Sequence, residues 1–363
     1  MEKPKKPQLS LRVRQWTRTH RTLSYIVGAL LLLVVSSGLA FAVLYQQPVK
    51  KAPVAEVKKV EPKPVVAKFY SPLTGKLVAD AAAVNQPVSA VMIENSPDAR
   101  PQSGLKDSGV VFEAIAEGGI TRFLVIYQQE KPQLIGPVRS IRLYDVDWLA
   151  AFNTSVAHVG GSAAGLAEIR NGNYRDIDQF FNAATYWRAT DRYAPHNVYT
   201  SFAKLDALNV AKGYATSVVK GFSRVDAKPS AKPTASQIAI KLSSPLYNST
   251  YSYDQASNSY QRSQGGAPHL DREQGQIAPS VIVALKVDES TVMQDGNREN
   301  IVTSGSGSAT IFQNGGFQAV TWHKANPTTQ ISFTDANGVD VPLVRGQTWL
   351  AAVPASTGSV TWQ

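Results

Sequence analysis

The feature that most constrains this chain is an apolar segment near its N-terminus. Residues 24–45 are 22 consecutive residues without a charge, and residues 29–35 are all aliphatic. A helix of about 20 such residues spans the hydrocarbon core of a bilayer. Tyr25 and Tyr45 lie at the two ends, where amphipathic aromatic residues are favoured. The segment predicts a transmembrane signal-anchor helix. The alternative is a signal peptide cleaved after Ala42, because Ala40-Phe41-Ala42 has the small-x-small form of a cleavage site.

The positive charge of the chain surrounds this segment. The formal net charge is +10, and residues 1–68 hold 13 Lys and Arg against 3 Asp and Glu, which is the whole excess. The rest of the chain is neutral overall, so its charge gives no support for nucleic-acid binding. The basic residues beside the apolar segment indicate contact with a membrane surface. The chain has no cysteine, which excludes disulfides, thiolate nucleophiles and Cys-ligated metals.

Composition and pattern divide the chain into six parts. Residues 69–213 alternate strand and helix patterns, which indicates an α/β domain with a mixed sheet. Residues 236–363 contain short strand patterns separated by turn residues, which indicates an all-β domain of the sandwich or barrel type. The other parts are a cytoplasmic basic tail (1–23), the anchor helix (24–45), a Pro/Lys-rich linker (46–68) and an inter-domain linker (214–235).

Residues 117–142 break local sequence rules. A Gly-Gly pair interrupts a strand pattern, residues 134–138 read as a further strand, and Ser140 is a plausible N-cap for a helix reaching about residue 152. Arg139 and Arg142 would flank the start of that helix, where free amides attract anions but cations are unfavourable. Arg122 alternates with apolar residues and therefore points inward. These arginines indicate either an anion pocket or internal ion pairs. The candidate partners for internal pairing are Glu113, Glu117, Asp145 and Asp147.

Two further motifs carry polar side chains that could bind a ligand. In R-Y-A-P-H-N at 192–197, proline favours an ordered turn, so His196 could act as a base or ligand contact beside Arg192 and Asn197. In Gly160-Gly161-Ser162, a glycine turn after a strand could form an anion nest. Ser162 reads as a helix cap and not as a nucleophile, because alanine occupies position 164, where a nucleophile elbow needs glycine. The histidine spacing matches no metal motif, and we expect no metal and no cofactor.

Aromatic residues in the second half permit two interpretations. They could stack on sugars, or they could fill the core of the β domain, which is the commoner role. The residues concerned are Tyr251, Tyr253, Tyr260, Trp322, Trp349 and Trp362.

Several short motifs, in order, resemble one known family. The first half carries S-P-L-T-G at 71–75, A-R-P-Q-S-G-L at 99–105, E-G-G-I-T-R at 117–122, I-G-P-V-R-S at 135–140, H-V-G-G-S at 158–162 and R-Y-A-P-H-N at 192–197. The second half carries Y-D-Q-A-S-N-S-Y-Q-R at 253–262, G-S-G-S-A at 305–309 and G-Q-T-W-L at 346–350. Together they resemble the YerB-like family of bacterial envelope lipoproteins, a two-part domain of unknown function. The resemblance implies an extracytoplasmic body and no defined reaction. Typical members carry a lipobox cysteine that this chain lacks, so we expect the apolar helix itself to be the anchor.

These observations lead to two functional hypotheses. Lys and Arg are balanced on the two sides of the anchor, so the large C-terminal body and the family resemblance determine the expected orientation, with the N-terminus in the cytoplasm. The first hypothesis is a tethered binding or regulatory module whose arginine-rich cleft holds an anion, a cell-wall glycan, a peptide or an envelope protein. The alternative is a hydrolase or transferase of envelope polymers, with Glu117 or Asp191 as acid/base and His196 as its partner. The candidate ligand-binding residues are Arg122, Arg139, Ser140, Arg142, Gly160, Gly161, Ser162, Arg192, His196 and Asn197.

Overall fold

A computed structural model describes residues 9–45, 67–292 and 298–363. The expected linker at 46–68 lies almost entirely outside the described residues, as does the beginning of the basic tail. The chain separates into two compact units, Met1–Val65 and Val66–Gln363.

The first unit contains two helices, α1 (Leu9–Thr19) and α2 (Arg21–Tyr45). Within the described residues, α2 is the one helix long and apolar enough to cross a membrane, with a mean hydropathy of 2.6 over an 18-residue window. Its 25 residues correspond to about 37 Å at 1.5 Å per residue, more than the thickness of a hydrocarbon core. The helix expected over 24–45 is therefore present, and a membrane anchor and an N-terminal signal sequence both have this composition.

The second unit is built mainly from strands. Its helices are α3 (Ala81–Val84), α4 (Leu143–Leu149), α5 (Ala163–Asn171) and α6 (Phe202–Ala211), with 3-10 turns at Pro97–Ala99, Ala150–Phe152 and Ala183–Thr185. Its strands are β1 (Phe69–Tyr70), β2 (Leu77–Val78), β3 (Ser89–Glu94), β4 (Val110–Glu117), β5 (Ile120–Tyr127), β6 (Ser155–His158), β7 (Arg175–Asp178), β8 (Trp187–Arg188), β9 (Val198–Tyr199), β10 (Arg224–Val225), β11 (Gln237–Lys241), β12 (Ser249–Asp254), β13 (Ser259–Gln264), β14 (Ala267–Pro268), β15 (Leu270–Asp271), β16 (Gly275–Gln276), β17 (Val281–Val287), β18 (Glu289–Val292), β19 (Arg298–Ile301), β20 (Gly305–Gln313), β21 (Gly316–Lys324), β22 (Ser332–Thr334), β23 (Leu343–Val344), β24 (Thr348–Pro354) and β25 (Ser359–Trp362).

The two sequence halves share one sheet. A 12-stranded sheet runs in the order β22-β21-β20-β17-β24-β4-β5-β3-β6-β7, with β18 and β19 attached beside β4. Strand β24 from the second half runs parallel to β4 from the first, pairing Thr348 with Val110, and parallel to β17 on its other side. All residues of β24 are buried, so both of its hydrogen-bonding edges need partner strands. The α/β half and the β-rich half are thus joined through one sheet. The second half does not form the self-contained sandwich or barrel that the sequence predicts.

A second sheet covers part of the first. It has the order β14-β13-β12-β11-β25, and its apolar side chains pack against those of β17, β20 and β24. This is sandwich packing in which the larger layer also belongs to the first half. Alternate residues of β4 serve opposite faces of the large sheet: Phe112 packs with Trp148 of α4, and Val111 lies in the cluster that contains Phe202 of α6.

Gly221 marks a close approach between two loops. A β-carbon there would lie 1.8 Å from the carbonyl oxygen of Pro72. Only glycine allows the backbones to approach so closely.

Candidate functional site

The candidate site lies where parallel strands separate. Strands β3, β6 and β7 are parallel neighbours, and residues 138–141 insert as an extended segment beyond their paired ends. The Arg139 amide donates to the carbonyl oxygen of Met92 (2.9 Å), and the Val159 amide donates to that of Arg139 (3.0 Å). In open α/β sheets, ligands bind outside the carboxyl ends of strands at such crevices. The residues at the carboxyl ends of these three strands are therefore the candidates for ligand binding.

One buried carboxylate organises this edge. Glu94 ends β3 and its side chain is 4% exposed. Its Oε1 accepts from the Ser96 hydroxyl (2.9 Å) and lies 2.9 Å from His196 Nδ1 and 3.2 Å from Arg139 Nε. Its Oε2 is buried without a hydrogen-bond partner among the described residues. Arg139 and His196 are 27% and 22% exposed, so a buried group holds two side chains that reach the surface.

The orientation of His196 follows from its contacts. A carboxylate only accepts hydrogen bonds, so the proton on Nδ1 points to Glu94 and Nε2 is left to face outward. Nε2 lies 4.0 Å from the carboxylate of Asp98, which is 83% exposed. The Ser96 hydroxyl lies on the Nδ1 side, 3.2 Å from that nitrogen. Ser96 is therefore not arranged as a nucleophile activated by Nε2.

The other two arginines form internal ion pairs. Glu117 Oε1 accepts from Arg122 (2.8 Å), while its Oε2 accepts from Arg142 through Nη2 and through Nε (3.1 Å). Both arginine side chains are almost fully buried. Burial would raise the pKa of Glu117, but the two guanidinium groups outweigh it and lower the pKa to about 2. Of the two alternatives that the sequence leaves open, Arg122 and Arg142 therefore form internal ion pairs.

Ser140 does not cap a helix, which corrects the expectation from the sequence. Residues 138–141 are extended because they fill the gap between strands, and helix α4 begins at Leu143 with Arg142 at the N-cap. The Arg142 amide donates to Asp145 Oδ2 (2.9 Å), and burial raises the pKa of Asp145 to about 7. The Ser140 hydroxyl donates to the carbonyl oxygen of Val159 (2.9 Å). Residues 134–138 likewise form only isolated bridges and no strand.

The glycine turn is filled by a side chain of the protein itself. Gly160 has φ +58°, and its amide donates to Asp178 Oδ1 (3.1 Å). The expected anion nest therefore holds an internal carboxylate. Gly161 packs against Ile141, and Ser162 caps α5 by accepting from the Gly165 amide (3.2 Å).

The loop that carries His196 is braced on both sides. Arg192 donates to the carbonyl oxygens of Asp98 (3.2 Å) and Pro101 (2.6 Å). Asn197 is buried and accepts from Arg188 (2.8 Å). Asp191 pairs with Arg272 (2.6 Å). Among the described contacts, neither Glu117 nor Asp191 is bonded to His196. The carboxylate that contacts His196 is that of Glu94.

A buried polar network lies behind the site. Glu113 and Arg262 are fully buried and form an ion pair (2.8 Å) between the two sequence halves. Glu113 Oε2 also accepts from the Trp349 indole (2.9 Å). Arg262 donates to Gln264 (2.8 Å) and to His269 Nδ1. Burial, together with the charge of Arg262, lowers the pKa of His269 well below its usual value, so this histidine is neutral.

The network continues to the backbone of Glu94. Asn95 donates to Thr121 Oγ1 (2.6 Å), which donates to Glu113 Oε1 (3.3 Å). Gln102 accepts from His269 Nε2 (3.0 Å) and donates to the carbonyl oxygen of Glu94 (3.0 Å). The second half of the chain therefore supports the position of Glu94.

Glu94 is not among the site residues predicted from the sequence, although its position in the sequence indicates a functional role. Glu94 follows five residues of a strongly apolar strand pattern, and a carboxylate at the carboxyl end of a buried strand is a common functional position. The sequence predicts Glu113 only as a candidate ion-pair partner of the arginines at 122–142, and nothing local points to Arg262. Of the aromatic residues considered for sugar stacking, Tyr251, Tyr260, Trp322 and Trp349 are buried in the core. In residues 9–45, 67–292 and 298–363, no three His, Asp or Glu side chains converge as metal ligands.

Comparisons with known proteins agree with the resemblance seen in the motifs. The family described as "Protein of unknown function (DUF3048)" matches through its N-terminal domain at residues 73–215 and its C-terminal domain at residues 238–350. The Bacillus subtilis (strain 168) protein named "Putative lipoprotein YerB" is 33% identical over 292 residues, covering 79% of this chain and 87% of that protein. The crystal structure of B. subtilis YerB superposes with a TM-score of 0.72 at 30% identity, covering 81% of this chain and all of the other. This chain belongs to the DUF3048 family of proteins of unknown function.

Proposed function

We propose that this protein is a membrane-tethered binding module of the bacterial cell envelope. Helix α2 anchors it with the N-terminus in the cytoplasm, and the body lies outside the membrane. The apolar helix and the similarity to a protein named as a lipoprotein both support this location. The ligand-binding face is the carboxyl edge of β3, β6 and β7.

The observation that carries the proposal is the difference between Arg139 and the other two arginines. Arg122 and Arg142 are buried against Glu117. Arg139 Nε lies 3.2 Å from Glu94 Oε1, and the Arg139 side chain is 27% exposed. Its Nε forms no hydrogen bond with the described residues. A planar guanidinium that is partly exposed is suited to a carboxylate or phosphate. With the outward Nε2 of His196 beside it, Arg139 would recognise a polymer that bears anionic groups and hydroxyls, as cell-wall glycopeptide does.

The test is retention on purified cell-wall sacculi of the body beginning at Val66. We expect Arg139→Ala to weaken retention by about 10-fold or more, since hydrogen bonds to charged groups contribute about 1.5–3 kcal/mol. His196→Ala should weaken it less. Lys76→Ala, which removes a cation that is 62% exposed elsewhere on the surface, is the matched control and should bind as the wild type does. Equal retention of all four proteins would refute the proposed ligand-binding face.

A second candidate function is suggested by the Glu94–His196 pair. A histidine whose Nδ1–H is held by a buried carboxylate presents Nε2 as a general base for water or a substrate hydroxyl. The protein would then hydrolyse or transfer an envelope polymer, with Arg139 binding the substrate. Incubation with purified peptidoglycan and analysis of soluble fragments tests this activity. Release that disappears in His196→Gln and Glu94→Gln supports catalysis, whereas no release above buffer by the folded wild type excludes it for this substrate.

A further inference from the structure

Two phenylalanines project from the turn that follows β7. Phe180 is 68% exposed and Phe181 is 72% exposed, although large apolar side chains are favoured in the interior. The turn is fixed by Asp178, which is fully buried. Its Oδ1 accepts from the Phe180 amide (3.2 Å), and its carbonyl oxygen accepts from the Phe181 amide (3.1 Å). The exposed rings are therefore held in place by hydrogen-bonded backbone.

The surroundings of the phenylalanine turn, defined as residues 180–184, are apolar and basic. Ala183 and Ala184 are exposed as well, and Arg188 is the one charged residue between positions 178 and 191. Lys204 adds a second cation, because its Nζ donates to the carbonyl oxygen of Ala184 (2.7 Å). An apolar tip with cations beside it is complementary to a bilayer surface that carries anionic headgroups.

We propose that the phenylalanine turn inserts into the surface of the membrane to which α2 tethers the body. Aromatic side chains are favoured at the membrane–water interface. Rings on a projecting turn need a partner that closes around them, and fluid lipid does so without a preformed recess. A tether also keeps the body at a high effective concentration beside the bilayer, so a contact made by only two rings is populated.

The inference goes beyond the proposed function and takes from it only the anchoring by α2. The phenylalanine turn follows β7, at the carboxyl edge that also carries Arg139, so insertion places the proposed ligand-binding face next to the membrane surface. Neither Arg139 nor His196 takes part in insertion. Retention on sacculi is measured without a bilayer, so the two proposals fail separately.

The experiment uses the full-length protein in lipid nanodiscs. Ala183→Cys gives a chain without cysteine a single attachment point for an environment-sensitive dye. Discs of phosphatidylcholine are compared with discs that also contain phosphatidylglycerol, each with and without a doxyl-labelled lipid that quenches the dye on contact. We expect a blue shift and quenching of the dye, both larger in the anionic discs.

Three variants separate insertion from other effects. The double variant Phe180→Ser with Phe181→Ser should lower the ratio of inserted to free turn by about 10-fold or more, because both apolar rings are removed. Lys204→Gln, which can still donate to the Ala184 carbonyl, should reduce quenching in the anionic discs more than in the neutral ones. Leu77→Ser removes an apolar side chain that is 64% exposed elsewhere on the body, and should leave the quenching unchanged. Circular dichroism confirms that each variant folds.

A dye on Thr357→Cys, in the turn before β25, reports on a different part of the surface and should not be quenched. The proposal is overturned if the dye at position 183 is not quenched in either kind of disc, or if the double serine variant is quenched as strongly as the chain with both phenylalanines. It is also overturned if the dye shifts to the blue without quenching by the doxyl-labelled lipid, because protein and not lipid then covers the turn.

Discussion

The buried ion pair between Glu113 and Arg262 should be a main determinant of the stability of the body. Both side chains are 0% exposed, and the pair is 2.8 Å long. Replacing Glu113 by glutamine keeps the shape but leaves the Arg262 charge buried without a counter-charge. Removing one partner of a buried pair costs about 3–5 kcal/mol. For a body of about 300 residues, this corresponds to a fall in Tm of about 5–8 °C.

The assay is thermal and guanidinium unfolding of the body beginning at Val66, followed by circular dichroism. Asp226→Asn is the control, because it breaks an ion pair with Arg345 at 2.7 Å in which Asp226 is 86% exposed, and exposed pairs contribute little. This control should unfold as the wild type does. The double variant Glu113→Gln with Arg262→Met should be more stable than Glu113→Gln alone, since it removes the uncompensated charge. A loss below about 1 kcal/mol in Glu113→Gln, or a double variant less stable than the single one, would refute the reasoning.

Three further predictions use other features of the chain. The pKa of Glu117 is lowered to about 2, so its ion pairs stabilise the fold fully above its ordinary pKa of about 4.5, and this stabilisation is lost as the pH falls toward 2. Glu117→Gln should therefore reduce the fall of the unfolding midpoint between pH 4.5 and pH 2. An unchanged fall would contradict the assignment. Gly221→Ala should destabilise the body by about 1–3 kcal/mol or more because the β-carbon meets a backbone oxygen, whereas Gly316→Ala, where the nearest atoms are 3.8 Å away, should be tolerated in the same unfolding assay. In intact cells, an impermeant maleimide should label Thr357→Cys and spare Thr17→Cys, a comparison made simple by a chain with no cysteine; the reverse pattern would invert the proposed orientation.

Local patterns in the sequence predicted individual strands well. The alternation of Arg122 with apolar residues lies in strand β5 (Ile120–Tyr127), and the apolar run at residues 281–287 forms strand β17. The pairing of these strands was not predictable in the same way. Strand β24 joins β4 across more than 230 residues of sequence, and an apolar strand carries no local mark of which partner it will meet. The sequence therefore indicated an α/β half and a β-rich half, but not the single sheet that joins them.

The same distinction between local and distant partners applies to the segment that contains the arginines. Arg122 was expected to point inward because it alternates with apolar residues, and it is buried. Its partner Glu117 lies only five residues away, so sequence could propose that pair. Ser140 has the right residue type for a helix cap, so the sequence predicts a helix that starts three residues too early. Residues 138–141 are extended instead, because they form backbone hydrogen bonds with the segments that contain β3 and β6. Tertiary hydrogen bonds thus overrode the local capping preference.

Glu94 moves the candidate site away from the arginine cluster that the sequence indicates. The sequence indicates a cluster of three arginines, but two of them neutralise Glu117 inside the protein. The third, Arg139, shares the Glu94 carboxylate with His196, and His196 lies 102 residues beyond Glu94 along the chain. The backbone carbonyl of Glu94 accepts from Gln102, which also donates to Asn95, and Asn95 leads through Thr121 to Glu113. Because this support comes from both halves, a substitution in the second half can displace Arg139 and His196 without touching them. The shared sheet is therefore a requirement of the candidate site as well as a feature of the fold.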